Sequence, residues 1–415
     1  MRWVDVPSGS DFPIENLPYG AFSPAPGDPP RIGVAIGDHV LDLAAALDDP
    51  VFGEPTLNRF LAQGRPRWRE VRARVTELLT EERHRSAVEP HLVARSSVTL
   101  HLPFEVADYV DFYASEDHAT NLGRMFRPEQ AALTPNWKWI PIGYHGRAGT
   151  VVVSGTPVVR PSGQRKAPSE PAPTFGPSRR LDIEAELGFV VGAPSRLGEP
   201  VPIDQAPEHL FGVVLVNDWS ARDIQSWEYV PLGPFLGKSF ATSVSPWVVP
   251  FEALEPAMTR PPARDPEPLP YLRGDADRGL DIALEVRLNG QVVSRPPYSR
   301  MYWTPAQMLA HMTANGASLR TGDFFASGTI SGPEADQRGS FIEMSWNGSE
   351  PLSLGNGVTR TFLEDGDTVA ITARARGRGG VEIGFGEVTG TILPAVVGEA
   401  TNVPSRPGTA TTPSR

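Results

Sequence analysis

Between Arg31 and Leu47 the run RIGVAIGDHVLDLAAAL alternates apolar and polar positions around a Gly-Asp turn, which predicts a hairpin leading into a helix. From Pro66, Trp68, Val71, Val75, Leu78 and Leu79 recur at helical spacing and predict an amphipathic helix that ends near the basic stretch Arg83 to Arg85. From about Phe104 the pattern changes to short apolar or alternating runs. TVVVSGTPVV, RLDIEAELGFVV, FGVVLVND, LDIALEVRLNGQVV, FIEMSWNG and DTVAITARARG read as strands. Asn289-Gly290 and Asn347-Gly348 carry the strongest short hairpin signal. Proline-rich polar stretches, Pro161 to Arg179 and Pro256 to Gly279, read as loops, and the chain beyond Gly398 reads as disordered. The expected organisation is a small α+β unit over 1–103, a large, mostly antiparallel β domain over 104–398, and a tail over 399–415.

Composition narrows the chemistry. With 415 residues and 40% hydrophobic content the chain can bury a full core, while Gly 40 and Pro 44 disfavour an all-helical fold. Cys 0 removes disulfides, thiolate metal sites and cysteine nucleophiles, so any metal must be held by oxygen or imidazole. A net charge of −11 without basic, aromatic-rich blocks argues against nucleic-acid binding. No run of about 18 apolar residues and no apolar leader is present, so a cytoplasmic protein without membrane association is expected. Two glycine motifs fail as nucleotide loops. GPFLGKS is one residue short of the Walker spacing, and GFGEVTG lies among strands with no helix after it.

Acidic residues in apolar company carry the remaining signal. On a strand from Arg180 to Val191, Asp182, Glu184 and Glu186 share a face, with same-face neighbours only about 7 Å apart. No base intervenes, so these carboxylates must be well solvated, protonated, or gathered around a cation. Asp111 in DYVDFY and Asp218 at the end of GVVLVND are likewise set among aromatic or apolar residues. Asp111, Glu184, Glu186 and Asp218 together would make an all-oxygen site suited to calcium or magnesium. After Asp218, Arg222, Gln225 and Tyr229 follow at helical offsets, and Lys238 and Thr242 repeat a spacing of four. Ser115 can cap a helix carrying His118, which would place an imidazole near Asp111 and Tyr113. His39, His84, His91 and His101 look isolated and carry no chemistry.

DFYASEDHATNLGRMFR, PNWKWIPIGYHGRAG, LDIEAELGF, NDWSARDIQSWEYVPLGPFLGKSF, MYWTPAQMLAHM and LRTGDFFASGTISGPE resemble the fumarylacetoacetase family along nearly the whole chain. The resemblance implies a mainly β fold of α+β type, with a small SH3-like N-terminal barrel, a large C-terminal mixed β-sandwich roll, and a homodimer. It implies that Asp111, Glu184, Glu186 and Asp218 bind a divalent ion, Ca2+ or Mg2+, with Lys238 and Thr242 at a second, magnesium-type site. His118 matches the general base and Glu343 the carboxylate that orients it. Arg222, Gln225 and Lys238 match the groups around developing negative charge. Tyr113, Arg127, Tyr144, Gln225, Tyr229 and Thr329 match substrate contacts, and His145 is taken as structural.

The activity so implied is metal-dependent hydrolysis of the carbon–carbon bond of 4-fumarylacetoacetate to fumarate and acetoacetate, the last step of tyrosine and phenylalanine breakdown. Two rivals are set beside it. One is a hydrolase, decarboxylase or isomerase of the same superfamily acting on another acylpyruvate or β-keto acid. The other is a catalytically silent, calcium-stabilised binding module.

Overall fold

The computed structural model describes residues 3–167, 169–355 and 357–396. The tail expected beyond Gly398 lies outside them. Ala185–Val191 and Leu210–Asp218 pair antiparallel, with Glu186 opposite Val216 and Gly188 opposite Val214. They form the centre of an eight-stranded sheet and are buried on both faces, so their apolar residues run almost without interruption. The sheet runs Gly143–His145, Tyr109–Phe112, Phe324–Ala326, Ala185–Val191, Leu210–Asp218, Thr242–Val244, Val151–Val153, with Val249–Pro250 also pairing on Leu210–Asp218.

Alternation along these strands sorts their side chains into two layers. Leu187, Phe189, Val213, Leu215 and Phe325 share a core with Leu284, Val286, Val369, Ile371 and Val388 of a second, five-stranded sheet. That pair of layers is the expected mixed β-sandwich. Val190, Val214, Val216 and Phe324 face the other way and pack on Tyr19, Phe60, Trp68 and Val71 from the N-terminal part of the chain. There a five-stranded antiparallel sheet holds the hairpin Arg31–Ile36 and His39–Asp42, followed by the helix Leu43–Leu47. The helix Arg65–Thr80 buries Trp68, Val71, Val75, Leu78 and Leu79, the residues its spacing selects. Full burial of such a side chain contributes about 1.5–3 kcal/mol before entropy is counted. Trp68 meets Phe211 edge to face at 5.2 Å, which ties this helix to the central sheet. Among the described residues no helix is long and apolar enough to cross a membrane.

Three local expectations are corrected. FIEMSWNG is not a strand: Phe341–Met344 is a short helix, and Asn347-Gly348 turns the chain after it instead of joining two strands. The reason is tertiary, because the Phe341 and Ile342 N–H groups donate to the buried Asp182 carboxylate at 2.6 and 3.0 Å and so gain the acceptors a helix start needs. The run Arg180 to Val191 is broken at Ile183 and Glu184, since Leu181–Asp182 pairs with Ser220–Ala221 while Ala185–Val191 joins the large sheet. Within the stretch read as a loop from Pro161 to Arg179, Ser162–Arg165 and Thr174–Pro177 form a hairpin.

Candidate active site

Strand register delivers acidic side chains to one end of the central sheet. Asp111 lies opposite Tyr144, Glu186 stands near the start of Ala185–Val191, and Asp218 ends its strand opposite Thr242. All three sit on the face whose continuation, through Tyr109, Val190 and Val216, packs on the N-terminal layer. Glu184 lies in the break before its strand, pinned because its carbonyl accepts the Asp218 N–H at 3.1 Å. One carboxylate oxygen from each of Asp111, Glu184, Glu186 and Asp218 lies within 4.8 Å of the others, and all four residues are buried. Asp111 Oδ1 and Glu186 Oε1 have no hydrogen-bond partner.

Buried like charges this close must be protonated or matched. Lys238 Nζ reaches Glu184 at 2.6 Å and Asp218 at 2.8 Å, and Thr242 Oγ1 donates to Asp218 at 2.7 Å. Arg222 Nη1 meets Glu184 at 2.7 Å, but its Nε is already matched by Asp182 at 2.8 Å. Asp111 and Glu186 have no such cation. Burial, reinforced by the neighbouring carboxylates, pushes both carboxyls well above their ordinary range. Burial presses upward on Glu184 as well, but Lys238 and Arg222 outweigh it and hold that carboxyl below the usual range. An all-oxygen donor set with two orphaned buried oxygens and surplus negative charge fits a hard divalent cation.

Lys238 meets these acids through its ammonium. Burial presses its pKa down, yet Asp218 and Glu184 outweigh that and raise it, so the ammonium serves as a fixed cation and not as a metal donor. Nor do Lys238 and Thr242 share a helix, since Thr242 opens the strand Thr242–Val244. A second acidic grouping, Glu77, Glu81 and His84, lies at the N-terminal surface, so His84 is not isolated. Arg74 and Arg83 already neutralise it.

His118 sits in the first turn of the helix Glu116–Phe126, where Ser115 Oγ accepts its N–H at 3.2 Å. Its Nδ1 lies 2.7 Å from Glu343 Oε2. Glu343 also accepts from Ser340 Oγ at 2.6 Å, Ser331 Oγ at 3.0 Å and Asn121 Nδ2 at 3.0 Å. Burial pushes the Glu343 carboxyl up, but His118 and these donors outweigh it and hold it below its ordinary range. An ionised carboxylate only accepts, so Nδ1 carries the proton of this contact. The imidazole stands edge to face on Tyr113 at 5.4 Å and acts electrostatically on Glu184. Glu116 and Asp117 have cations of their own, Lys138 at 2.7 Å and Arg300 at 3.4 Å.

The other expected contacts are distributed unevenly. Tyr144 lies opposite Asp111 across its strand pair. Arg127 is bound to the Ala132 carbonyl at 2.9 Å and acts electrostatically on Tyr113. Thr329 is buried with its hydroxyl unpartnered, next to Gly328, whose N–H donates to Glu186 at 3.2 Å. The stripe expected from Asp218 starts only at Arg222, first residue of the helix Arg222–Glu228, because Asp218 ends a strand. Gln225 Oε1 accepts from Arg222 at 3.2 Å, while Tyr229 is half exposed at the helix end. His145 is exposed, 3.4 Å from Asp108. A cavity of about 370 Å3 between Trp68, Phe211 and Phe251 contains none of these residues and lies apart from the site. Sequence reasoning missed Asp182's pairing and the donors Asn121, Ser331 and Ser340. Only Asn121 had a local signal, three residues along one helix from His118.

The β-sandwich thus carries two buried features of a hydrolytic enzyme, a cluster of four carboxylates that could hold a metal ion and a histidine–glutamate pair. The chain belongs to the fumarylacetoacetase family. Residues 108–393 match the fumarylacetoacetate (FAA) hydrolase C-terminal family, and residues 15–103 match the fumarylacetoacetase N-terminal family. The chain is 51% identical over 419 residues to a fumarylacetoacetase of Homo sapiens, covering 96% of this chain and 100% of that one. It is 50% identical over 415 residues to a fumarylacetoacetase of Caenorhabditis elegans, covering 95% and 99%. Its fold is similar to that of a fumarylacetoacetate hydrolase from psychrophilic Exiguobacterium antarcticum, with a TM-score of 0.55, 18% identity, and coverage of 91% and 99%.

Proposed function

We propose that the chain hydrolyses 4-fumarylacetoacetate to fumarate and acetoacetate, the terminal step of tyrosine and phenylalanine breakdown. The observation that carries this is the His118–Glu343 pair at 2.7 Å beside the four-carboxylate cluster, in a chain 51% identical to a named fumarylacetoacetase. Glu343 holds the His118 Nδ1–H, which leaves Nε2 to take a proton from water. The hydroxide so formed attacks the fumaroyl carbonyl carbon. The carbon–carbon bond then breaks, and its electron pair leaves with the acetoacetate fragment as an enolate. The proton held at His118 returns to that carbon, so that fumarate and acetoacetate are released.

Asp111, Glu184, Glu186 and Asp218 would hold a divalent ion, Ca2+ or Mg2+, with Thr242 supporting Asp218. Bound there, the ion would supply Lewis-acid polarisation of the substrate's carbonyl groups. Arg222, with its buried Nη2 unpartnered, Gln225 and Lys238 stabilise the developing negative charge. Tyr113, Arg127, Tyr144, Tyr229 and Thr329 orient the substrate. The domain division near residue 103 and the cytoplasmic location expected from the sequence pattern, with the homodimer implied by the family resemblance, complete the proposal. Light scattering tests the dimer, and cell fractionation tests the location.

The deciding experiment mixes purified, metal-loaded protein with fumarylacetoacetate and follows its absorbance. Loss of absorbance with stoichiometric release of fumarate and acetoacetate is expected. No loss, or faster turnover of acylpyruvates, overturns the proposal.

A further inference from the structure

Asp182 is fully buried, pairs with Arg222, and belongs to neither the carboxylate cluster nor the His–Glu pair. Its contacts nevertheless reach both. Oδ2 accepts from Arg222 Nε at 2.8 Å and from the Ile342 N–H at 3.0 Å, while Oδ1 accepts from the Phe341 N–H at 2.6 Å and the Ile183 N–H at 2.7 Å. Phe341 and Ile342 open the short helix whose next residue is Glu343. Arg222, gripped at Nε, turns Nη1 onto Glu184 at 2.7 Å and Gln225 at 3.2 Å, which leaves Nη2 buried and unpartnered. One carboxylate therefore fixes the carrier of Glu343, the guanidinium beside Glu184, and the backbone one residue before Glu184.

We infer that Asp182 is a positioning residue for the hydrolysis: it holds the Glu343 helix and the Arg222 guanidinium in one frame, so that the proton-accepting His118 and the free Arg222 Nη2 address the same reacting atoms. The inference rests on the function proposed above for His118 and Arg222. The physical basis is the steepness of positional effects, since a misplacement of about 1 Å costs on the order of 10²-fold in rate. A charge-assisted bond to Arg222 and two N–H donors give Asp182 the leverage to prevent one. A neutral side chain of the same shape cannot do so, because an amide that accepts with one atom presents a donor to the remaining N–H groups.

The test is Asp182→Asn in the full chain, read in three ways. Wild-type turnover of fumarylacetoacetate is measured first and bears on the proposed function alone. The downfield proton resonance of His118 Nδ1–H, assigned by its loss in His118→Ala, needs no substrate and reports the Glu343 contact directly. A double-mutant cycle with Arg222→Lys then asks whether the two residues act as one unit. Expected for D182N are unchanged metal content, a kcat lowered about 10²-fold with KM moved less than about threefold, a shifted or broadened resonance, and a cost under about threefold when Arg222 is already lysine. A kcat within about twofold of wild type, an unmoved resonance, or additive losses would each overturn the inference. If D182N does not fold, Asp182→Glu decides, since it keeps the charge and both acceptors. A folded D182E with depressed kcat and a moved resonance supports the inference, whereas wild-type kcat, or failure to fold, assigns Asp182 to stability alone.

Discussion

His118 Nδ1 lies 2.7 Å from Glu343 Oε2, although 225 residues separate the two along the chain. The contact is buried on both sides, so neither group exchanges it for water. His118→Ala is expected to lower turnover by about 10²–10⁴-fold, the contribution of a positioned base. Glu343→Gln should lower it less while leaving the imidazole in place. Initial rates with metal analysis of both variants check this. Full turnover by H118A, or parallel loss of metal, would contradict the base assignment.

The surplus negative charge at Asp111 and Glu186 makes the cluster dependent on a cation. Chelation should abolish turnover and lower the melting temperature, with both restored by a divalent ion. Glu186→Gln keeps the shape and removes one charge. It should weaken metal affinity by no less than about tenfold, the lower end of what even outer partners contribute. Calorimetric titration gives the number, and wild-type affinity in E186Q would sink the four-carboxylate assignment.

Lys238 is the cation shared by Glu184 and Asp218. Lys238→Met leaves buried Asp218 without a cation and Glu184 with Arg222 alone, and losing one partner of a typical buried pair costs about 3–5 kcal/mol. A bound divalent ion would offset part of that deficit. Denaturant unfolding with and without the ion should therefore show a larger loss in its absence. Equal losses in both conditions would show that Lys238 and the ion do not share those charges.

Gly328 adopts φ +75°, and a Cβ there would overlap the Phe112 carbonyl oxygen, so the position tolerates glycine alone. Its N–H also holds Glu186 at 3.2 Å. Gly328→Ala is expected to cost at least about 1–2 kcal/mol from the left-handed backbone alone and to weaken metal binding as Glu186 moves. Thermal melts and metal titration read the two effects separately. A destabilised variant with intact metal affinity would break the link to Glu186.

Asp367 accepts from Arg360 at 2.9 and 3.2 Å, from Asn289 at 2.9 Å and from the Glu364 N–H at 2.8 Å. Burial pushes its carboxyl up, but these donors outweigh it and hold it below its ordinary range. A depressed native pKa contributes stability that is fully present above the unfolded value of about 3.9 and is lost as pH falls through the native one. Asp367→Asn should therefore cost about 2 kcal/mol near neutral pH. The gap from wild type should narrow below about pH 4. Unfolding curves from pH 7 to pH 3 check the trend, and a gap that widens with acid would reverse the sign assigned here.

Some of the site was legible before any fold was known. Asp111 and Asp218 announced themselves by apolar company, and Glu184 and Glu186 by sharing a strand face with no base between them. Asp182 shared that face too, and nothing local separated it from them. The chain breaks at Ile183 and Glu184, which sends Asp182 to Arg222 and to Phe341 while Glu186 enters the large sheet. Likewise FIEMSWNG carried a strand-like pattern too short to discriminate, and a carboxylate 159 residues away made it a helix.

By itself the chain determined its periodic elements and its ingredients. The helix that buries Trp68 through Leu79, the hairpin after Arg31 and the Ser115 cap beneath His118 all follow from side chains a few residues apart, and the lack of cysteine restricts any metal donors to oxygen and imidazole. Tertiary structure alone decided which acids meet, which cation each receives, and that His118 faces Glu343. Short-range pattern is set by backbone geometry, which repeats every two or 3.6 residues. Charge matching in a buried site depends on groups brought together by sheet register from distant parts of the chain, and only the folded core excludes the water that would otherwise make those distances irrelevant.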